Sequence, residues 1–237
     1  MNFKTRWHKA CSETIGTDTF WQIAVDHRSL ANELIPLINT YTKGVVLDAG
    51  AGRMAWRSLL QPLATHYMST DYTVEHAELT FCADLQGAVP LRDETIDTVF
   101  CCSVMEHTPE PWRVLPELHR ILRPGGHVIL SVPFMYYLHG WPHDYFRFTR
   151  FGLTRLAEQA GLQVVFQSNG GGIFRMACQA VSMAVTALLW TPAAPWLSTL
   201  PAGALYRVGR FLDRFDGNGL FSQNIHMVLM RPQTSEI

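Results

Sequence analysis

The nine residues 44–52, GVVLDAGAG, decide the fold because they join an apolar run to a glycine turn. A short apolar run without alternation is typical of a strand that is covered on both faces. The glycines let the chain turn sharply, and we predict a helix over 53–63 after them. The segment 50–55 also fits the spacing G-x-G-x-x-A, which brings the backbone close to a ligand beside a helix N-terminus. We therefore expect a nucleotide-type ligand at this turn.

The rest of the chain alternates apolar strands with helices, which is typical of a mostly parallel α/β sheet. Strands are predicted at 66–71, 79–84, 97–104, 127–133, 162–168 and 224–231, and helices at 18–39, 111–126 and 150–161. The segment 169–220 breaks this alternation with an apolar helix at 176–190 and an amphipathic helix at 205–215. We interpret it as a helical insertion that packs on the domain or forms a lid. A dimer surface and a contact with a lipid surface are the alternatives.

The length of 237 residues favours one domain. Its expected parts are an N-terminal helical extension (1–43), a ligand-binding core (44–168), a helical lid or dimer segment (169–220), and a last strand with a tail (221–237). The composition is 48% hydrophobic with a net charge of −1, and the lack of a basic surplus argues against a nucleic-acid partner. We find neither a signal peptide nor an apolar stretch that spans a membrane. We therefore expect a cytoplasmic protein with reduced cysteines.

Three acidic residues close successive predicted strands. Asp48 lies two residues before the first glycine, Asp71 ends the second strand and Asp84 ends the third. Because the carboxyl ends of parallel strands meet at one edge of a sheet, the three carboxylates would line one crevice. Asp48 could receive an ammonium group, Asp71 two ribose hydroxyls and Asp84 an adenine amine. The alternative for a single strand-end acid is a helix cap.

Taken in order, four stretches resemble the class I S-adenosylmethionine-dependent methyltransferases over residues 44–168. They are VVLDAGAG, YMSTDYT, CADLQGAVPLRDETIDTVFCCSVMEHTPEP and ELHRILRPGGHVILSVPF. The resemblance implies a Rossmann-like sheet of seven strands, mostly parallel, with an antiparallel last strand at 224–231 beside 162–168. Two further stretches, DYFRFTRFGLTRLAEQAGL and LDRFDGNGLFSQNIHMVLMRP, resemble bacterial methyltransferases found with glycan and secondary-metabolite pathways.

The same resemblance implies which residues hold S-adenosylmethionine. The residues that hold its methionine part would be Asp48, Ala49, Gly50, Ala51 and Gly52, with Ser103 lining the same side after the fourth strand. Asp71 would hold the ribose, with Tyr72 against the adenine. Asp84 and Leu85 would hold the adenine.

The loop after the fifth strand, YYLHGWPHDYFRFT at 136–149, supplies candidates for the acceptor side. If the acceptor is a hydroxyl, a base must take its proton, and histidine suits neutral pH. The candidate bases are His139, His143 and, after the fourth strand, His107. The candidate acceptor-binding residues are Tyr136, Tyr137, Trp141, Asp144, Tyr145 and Arg147.

Two other interpretations of this loop exist. Asp144 and Arg147 could form a salt bridge that caps the next helix. A zinc site built from His139, His143 and Asp144 is the metal interpretation. Gly140 and Pro142 keep the histidines off a common helix face and no further cluster completes the set, so we predict no metal.

The sequence therefore predicts methyl transfer from S-adenosylmethionine to a small-molecule or sugar-like acceptor, with O-methylation favoured. An NAD(P)-dependent oxidoreductase shares the glycine turn, but the acid before the glycines and the pair Asp84-Leu85 disfavour it. A non-catalytic binding protein on the same scaffold is a second alternative, because fold does not fix function. An RNA or protein methyltransferase is disfavoured by the neutral charge.

Overall fold

The computed structural model describes residues 2–74, 76, 78–216 and 220–233. Seven strands form one sheet: β1 Val45–Ala49, β2 His66–Asp71, β3 Phe81–Cys82, β4 Ile96–Cys102, β5 Leu122–Pro133, β6 Gln163–Gly170 and β7 Asn224–Met230. Their order is β3-β2-β1-β4-β5-β7-β6. Strand β1 is parallel to β2 and β4, and β4 is parallel to β5, whereas β7 is antiparallel to β5. The predicted mostly parallel sheet with an antiparallel last strand beside β6 is confirmed.

The helices follow the predicted alternation with different boundaries. They are α1 Phe3–Thr14, α2 Val25–Tyr41, α3 Arg57–Leu60, α4 Pro111–Ile121, α5 Arg150–Gln159, α6 Ile173–Leu189 and α7 Trp196–Leu212. The helix predicted from residue 53 begins only at Arg57, because the backbone N–H of Met54 bonds to the carbonyl of Ala51 and closes a turn first. Met54 itself has a φ of +56°, which no right-handed helix accommodates.

The sequence predicts a helix that ends at residue 126, but Gly125 and Gly126 lie in a strand instead. Helix α4 ends at Ile121, and Leu122 already has the extended backbone of β5. The N–H of Gly125 donates to the carbonyl of Arg231 at 2.8 Å, and the N–H of Arg231 donates to Gly126 at 3.0 Å. The glycines therefore extend the pairing of β5 with the chain beyond β7. The predicted strand at 79–84 is likewise shortened to Phe81–Cys82.

The chain divides into two compact units. The core unit contains Pro36–Ser168 and Asn224–Ile237, and the helical unit contains Met1–Ile35 and Asn169–Gln223. The division after Ser168 coincides with the predicted start of the helical insertion, whereas the division after Ile35 falls inside α2. A single methyltransferase domain over 1–237 stays a prediction.

The core unit is held by apolar packing on its sheet. One face of α4 carries Val114, Leu115, Leu118 and Ile121, which are all buried and recur at the spacing of an amphipathic helix. They belong to one cluster with residues of β1, β4, β5, α5 and β7. This packing fixes the carboxyl edge of the sheet, where the strands β1, β2 and β4 end.

The helical unit packs α6 against α7 and α1. Its interior holds a group of ion pairs: Arg175 lies 2.6 Å from Glu33 and 2.6 Å from Asp213. Among the residues the structure describes, none of the helices combines the length and apolar character that a membrane span needs.

Candidate active site

The glycine turn after β1 is anchored on the neighbouring strand. The N–H groups of Gly50 and Ala51 both donate to the carbonyl of Thr70 at 2.9 Å. Gly50 and Gly52 have φ angles of +77° and +50°, which residues with a side chain rarely adopt. A Cβ atom on Gly50 would overlap Val104, whereas a Cβ on Gly52 would meet open space. The turn therefore leaves room for a ligand beside Gly52 and none behind Gly50.

Asp48 lies just before this turn, at the end of β1. It is buried, and one of its carboxylate oxygens accepts a hydrogen bond from the Tyr67 hydroxyl at 2.8 Å. Burial is the main reason why the pKa of Asp48 is raised to about 7. The hydrogen bond from Tyr67 lowers this pKa, whereas the nearby charge of Asp71 raises it. A cationic group placed beside Asp48 would favour its ionised form.

Asp71 lies at the end of β2 and faces the glycine turn. Its Oδ2 accepts the N–H of Gly52 and its Oδ1 accepts the N–H of Tyr72, both at 2.7 Å. Each oxygen has a second lone pair for a ligand hydroxyl. The ring of Tyr72 is exposed. The structure thus brings Asp48, Asp71 and the glycine turn together, as the sequence predicts.

The other predicted cofactor residues are Asp84, Leu85 and Ser103, and among the described residues none of them forms a hydrogen bond with the glycine turn. Asp84 is exposed, and its Oδ1 accepts the N–H of Gln86 at 2.9 Å, within its own turn. Leu85 is buried in the hydrophobic core. Ser103 has a φ of +56°, and its N–H donates to the Ser131 carbonyl where β4 ends. Contact of these three with a cofactor stays a prediction.

These residues fit the cofactor that the resemblance implies. A buried carboxylate at Asp48 suits the ammonium group of S-adenosylmethionine. The two oxygens of Asp71 suit two neighbouring hydroxyls, and the exposed ring of Tyr72 offers a surface for a flat base. The open space beside Gly52 is where the backbone could approach the ligand.

The loop after β5 is fastened to the short 3₁₀ turn Met105–His107, which follows β4. The N–H groups of Tyr145 and Phe146 donate to the carbonyl of Glu106 at 2.8 and 3.2 Å. His107 Nδ1 lies 2.6 Å from the carbonyl of His143. Gly140 packs against His107 so closely that a Cβ there would lie 2.6 Å from the ring carbon Cε1. The ends of β4 and β5 therefore present one connected surface.

Asp144 and Arg147 hold this loop together. The guanidinium of Arg147 donates to both Asp144 oxygens, at 2.6 and 2.8 Å, and this pairing holds the pKa of Asp144 well below its usual range. Asp144 also accepts the N–H of His139 at 2.7 Å. The salt bridge considered from the sequence is thus present, although the helix cap itself is Thr149, which accepts the N–H of Gly152. Acceptor binding by either residue stays a prediction.

The aromatic residues of the loop form an exposed group. Tyr137, Trp141 and Tyr145 are exposed, and the rings of Tyr136 and Tyr137 stack with their centroids 4.3 Å apart. Tyr145 brings its hydroxyl to 2.8 Å from His143 Nδ1. Tyr137, Trp141 and Tyr145 therefore reach the surface of the loop, and binding of an acceptor by the aromatic residues stays a prediction.

Glu106 is the residue that sequence reasoning missed. It has 0% of its surface exposed, and neither carboxylate oxygen has a hydrogen-bond partner among the described residues. The Nε2 atoms of His107 and His139 both lie 3.7 Å from its Oε1. Its position next to His107, four residues after the end of the buried strand β4, is the sequence signal that could have found it.

Comparison with known proteins agrees with this geometry. Residues 47–130 match the family described as a methyltransferase domain. An uncharacterized methyltransferase of Mycobacteroides abscessus is 48% identical over 99 residues, covering 36% of this chain and 38% of its own. The ubiquinone biosynthesis O-methyltransferase of Pseudomonas syringae pv. tomato is 36% identical over 73 residues, covering 30% of each chain. The crystal structure of a SAM-dependent methyltransferase from Archaeoglobus fulgidus has a TM-score of 0.61 at 13% identity, covering 94% of this chain and 99% of that one.

The family match covers the part of the core unit that carries the glycine turn and the end of β4. The structural match extends over nearly the whole chain and shows the fold. The match of residues 47–130 to a methyltransferase domain and the relatives named as methyltransferases support the resemblance to the class I S-adenosylmethionine-dependent methyltransferases. The chain spans only 38% and 30% of the length of the two curated relatives.

Proposed function

We propose that the protein transfers the methyl group of S-adenosylmethionine to a hydroxyl of a small-molecule or sugar-like acceptor. The observation that carries this proposal is the buried Asp48 beside Asp71 at the glycine turn. Two carboxylates in this position suit an ammonium group and a pair of hydroxyls. The match of residues 47–130 to a methyltransferase domain supports the same cofactor.

The cofactor supplies the electrophilic methyl group when it is bound. The task of the chain is alignment, because a direct displacement requires the nucleophile, the methyl and the sulfur to lie in line. In this proposal Asp48 binds the ammonium group, Asp71 the ribose and Tyr72 the adenine. The loop after β5 holds the acceptor through its exposed rings.

His143 is the base that the geometry favours among the three candidates. Its ring is exposed, and its Nδ1 hydrogen-bonds the Tyr145 hydroxyl, which leaves Nε2 available. His107 and His139 direct their Nε2 atoms at the buried carboxylate of Glu106 instead. An O-methyltransferase among the relatives supports a hydroxyl acceptor.

The experiment that tests the cofactor is thermal unfolding with S-adenosylhomocysteine, S-adenosylmethionine or NADH added in turn. A ligand at about 100 times its dissociation constant stabilises the folded state by roughly 2.7 kcal/mol. For a chain of this length the melting temperature rises by about 5–10 °C. A shift with the sulfur nucleosides alone supports the proposal. A shift with NADH alone points to an oxidoreductase, and no shift with any of them points to a non-catalytic scaffold.

The partners of the helical unit are a separate part of the proposal. Helix α7 exposes Trp196, Leu200, Val208 and Phe211, with basic residues Arg207 and Arg210 also exposed. A homodimer or a peripheral contact with a lipid surface would cover these side chains. We also propose that the protein is cytoplasmic.

A further inference from the structure

Three potential metal ligands converge between the ends of β4 and β5. They are Glu106 Oε1, His107 Nε2 and His139 Nε2, and ligand atoms of the three residues all lie within 4.8 Å of one another. Each Nε2 is 3.7 Å from Glu106 Oε1. The two imidazole rings stand edge to face with their centroids 4.7 Å apart. All three residues belong to the core unit.

The burial of Glu106 is the second observation, and it is independent of the spacing. A fully buried carboxylate is costly unless a cation or several donors compensate its charge. Both Glu106 oxygens lack a hydrogen-bond partner within the described part of the chain. The guanidinium of Arg147, on the same loop, donates its two short carboxylate hydrogen bonds to Asp144 and not to Glu106. Among the described residues, Glu106 therefore lacks a hydrogen-bond donor at both of its oxygens.

The hydrogen bonds of His107 assign its proton. A backbone carbonyl only accepts, so the 2.6 Å contact between His107 Nδ1 and the carbonyl of His143 places the proton on Nδ1. The lone pair of a neutral His107 is then on Nε2, which faces Glu106. Metal-ligating histidines are held by a second hydrogen bond of this kind.

His139 has the same arrangement. Its Nδ1 lies 3.3 Å from the carbonyl of Tyr137 and 3.5 Å from Asp144 Oδ2, which are both acceptors. Arg147 Nη2 is also 3.5 Å from this nitrogen, but it is engaged with Asp144 at 2.8 Å. The proton of a neutral His139 therefore belongs on Nδ1, which leaves the lone pair on Nε2, the atom that lies 3.7 Å from the same Glu106 oxygen as His107 Nε2.

We infer that Glu106, His107 and His139 form a binding site for one divalent transition metal ion of the Zn²⁺ or Co²⁺ type. Two imidazoles and a carboxylate suit such ions better than Mg²⁺ or Ca²⁺, which prefer oxygen ligands. Metal–ligand bonds of about 2.0–2.2 Å place tetrahedral ligands roughly 3.3–3.6 Å apart. The 3.7 Å separations need only a small contraction. Three protein ligands leave a fourth position open.

This site differs from the metal interpretation considered from the sequence. That interpretation combined His139 with His143 and Asp144, and we predicted no metal because those residues did not form a set. The structure turns the His143 ring toward Tyr145 and commits Asp144 to Arg147. It supplies Glu106 and His107 in their place, from the turn after β4.

The open position gives the site a use, and this part rests on the proposed methyl transfer. A metal ion held by Glu106, His107 and His139 would favour loss of the proton from an acceptor hydroxyl at the open position, because a cation stabilises the deprotonated form. His143 would take that proton. The acceptor oxygen would then form its bond to the methyl carbon as the carbon–sulfur bond breaks, with S-adenosylhomocysteine as the leaving group.

The test is a titration of the chelator-treated full-length protein with Co²⁺ or Zn²⁺ alone, followed by calorimetry and by the visible absorption of Co²⁺. We expect one equivalent to bind, and affinity to fall at least about 100-fold in His107→Ala, in His139→Ala and in the nearly isosteric Glu106→Gln. The matched control is His143→Ala, a histidine of the same loop, whose affinity for the metal should stay within about twofold of the original.

The melting shift with S-adenosylhomocysteine is measured on each variant, so that loss of the fold is separated from loss of the site. It also distinguishes the failure of the proposed function from failure of the metal site, because neither readout depends on the other. Absence of stoichiometric binding to the original protein overturns the inference. An equal loss of affinity in His143→Ala, or an unchanged affinity in variants of the trio that still bind S-adenosylhomocysteine, also overturns it.

Discussion

Two carboxylates of the helical unit, Glu33 and Asp213, are paired with an arginine, whereas two buried carboxylates at the carboxyl edge of the core unit, Asp48 and Glu106, have no arginine partner among the described residues. Asp213 accepts hydrogen bonds from the Arg175 side chain and from the N–H groups of Phe174 and Arg175. Glu33 accepts from Arg175 and from the N–H of Gly171. At the sheet edge, Glu106 has no such partner within the described residues, and Asp48 has the hydroxyl of Tyr67.

In our proposals this difference separates charges that hold the fold from charges that a bound ligand would compensate. A buried carboxylate with an arginine and backbone donors is stabilised by the protein itself. A buried carboxylate without them is a liability that a bound cation removes. Removing the arginine should therefore damage the helical unit, whereas neutralising the edge carboxylates should damage binding.

Arg175→Ala is the substitution with the largest expected effect on stability. It removes the guanidinium that Glu33 and Asp213 share, and because the three side chains are only 9–21% exposed, the loss should approach the roughly 3–5 kcal/mol that breaking a buried pair costs. The matched control is Arg155→Ala, because the Arg155 side chain is 69% exposed in its pair with Glu158 and such pairs contribute about 0–1 kcal/mol. The free energy of unfolding in urea and the hydrogen exchange of α6 are measured for both variants. Equal losses in the two variants would show that the ion pairs do not hold the helical unit.

Leu118→Ala tests whether the core unit instead depends on apolar packing. Leu118 has 0% of its surface exposed and belongs to the cluster beneath the sheet, so truncation should cost roughly 2–5 kcal/mol of unfolding free energy. Leu200 on α7 is 66% exposed, and its truncation should change stability by no more than about 0.5 kcal/mol. Thermal unfolding of both variants provides the measurement. A comparable loss at Leu200 would mean that this face of α7 is covered in solution.

Asp71→Ala should remove cofactor binding while leaving the fold intact. Hydrogen bonds to a charged group are worth roughly 1.5–3 kcal/mol each. Losing two of them should weaken the binding of S-adenosylhomocysteine at least about 100-fold by calorimetry. Asp18→Ala, an exposed acid of the helical unit, serves as the control with unchanged affinity. If Asp71→Ala binds as tightly as the original protein, the ribose assignment fails.

The pH dependence of cofactor affinity should follow Asp48. The pKa of Asp48 is raised from 3.8 to about 7, chiefly by burial, and in the proposed site the cofactor's ammonium group would bind the ionised form. The ionised fraction falls about tenfold between pH 8 and pH 6, so affinity should fall by a similar factor. Asp48→Asn should bind more weakly at pH 8 and show no such slope. A slope that persists in Asp48→Asn would assign it to another group.

Stability of the unliganded protein should depend on pH in the opposite sense. Because the folded state holds the Asp48 proton more tightly than the unfolded state, the folded state binds more protons between pH 4 and pH 7. The contribution of Asp48 to stability is therefore greatest below its unfolded pKa and is lost as pH rises through 7. The difference in unfolding free energy between Asp48→Asn and the original protein, measured from pH 5 to pH 8, isolates this contribution.

The sequence predicted the sheet well because strand signals and edge rules are local. The strand HYMSTD was placed at 66–71, where β2 lies, and the rule that parallel strands end at one edge brought Asp48 and Asp71 together. Boundaries that depend on tertiary partners were missed. Gly125 pairs with Arg231, more than a hundred residues away, and local reasoning took it for a helix end.

The chemistry of the edge was predicted less well, for a related reason. Whether a histidine faces solvent or a buried carboxylate depends on how its loop folds back. His139 and His143 are four residues apart, yet one turns to Glu106 and the other to Tyr145. Glu106 itself shows its importance only through burial and the lack of donors, which a sequence does not record.

Val104 has a consequence for the width of the crevice. It fills the space that a side chain at Gly50 would need, and it lies two residues before Glu106 in the chain. Its two methyl groups therefore act as a spacer between the glycine turn and the segment that carries Glu106 and His107. A smaller residue at 104 would let the two walls approach, and a larger one would force them apart, without altering any group that touches a ligand. If the crevice binds the acceptor as we propose, the size of acceptor that it admits should depend on Val104, a residue that lies behind the site.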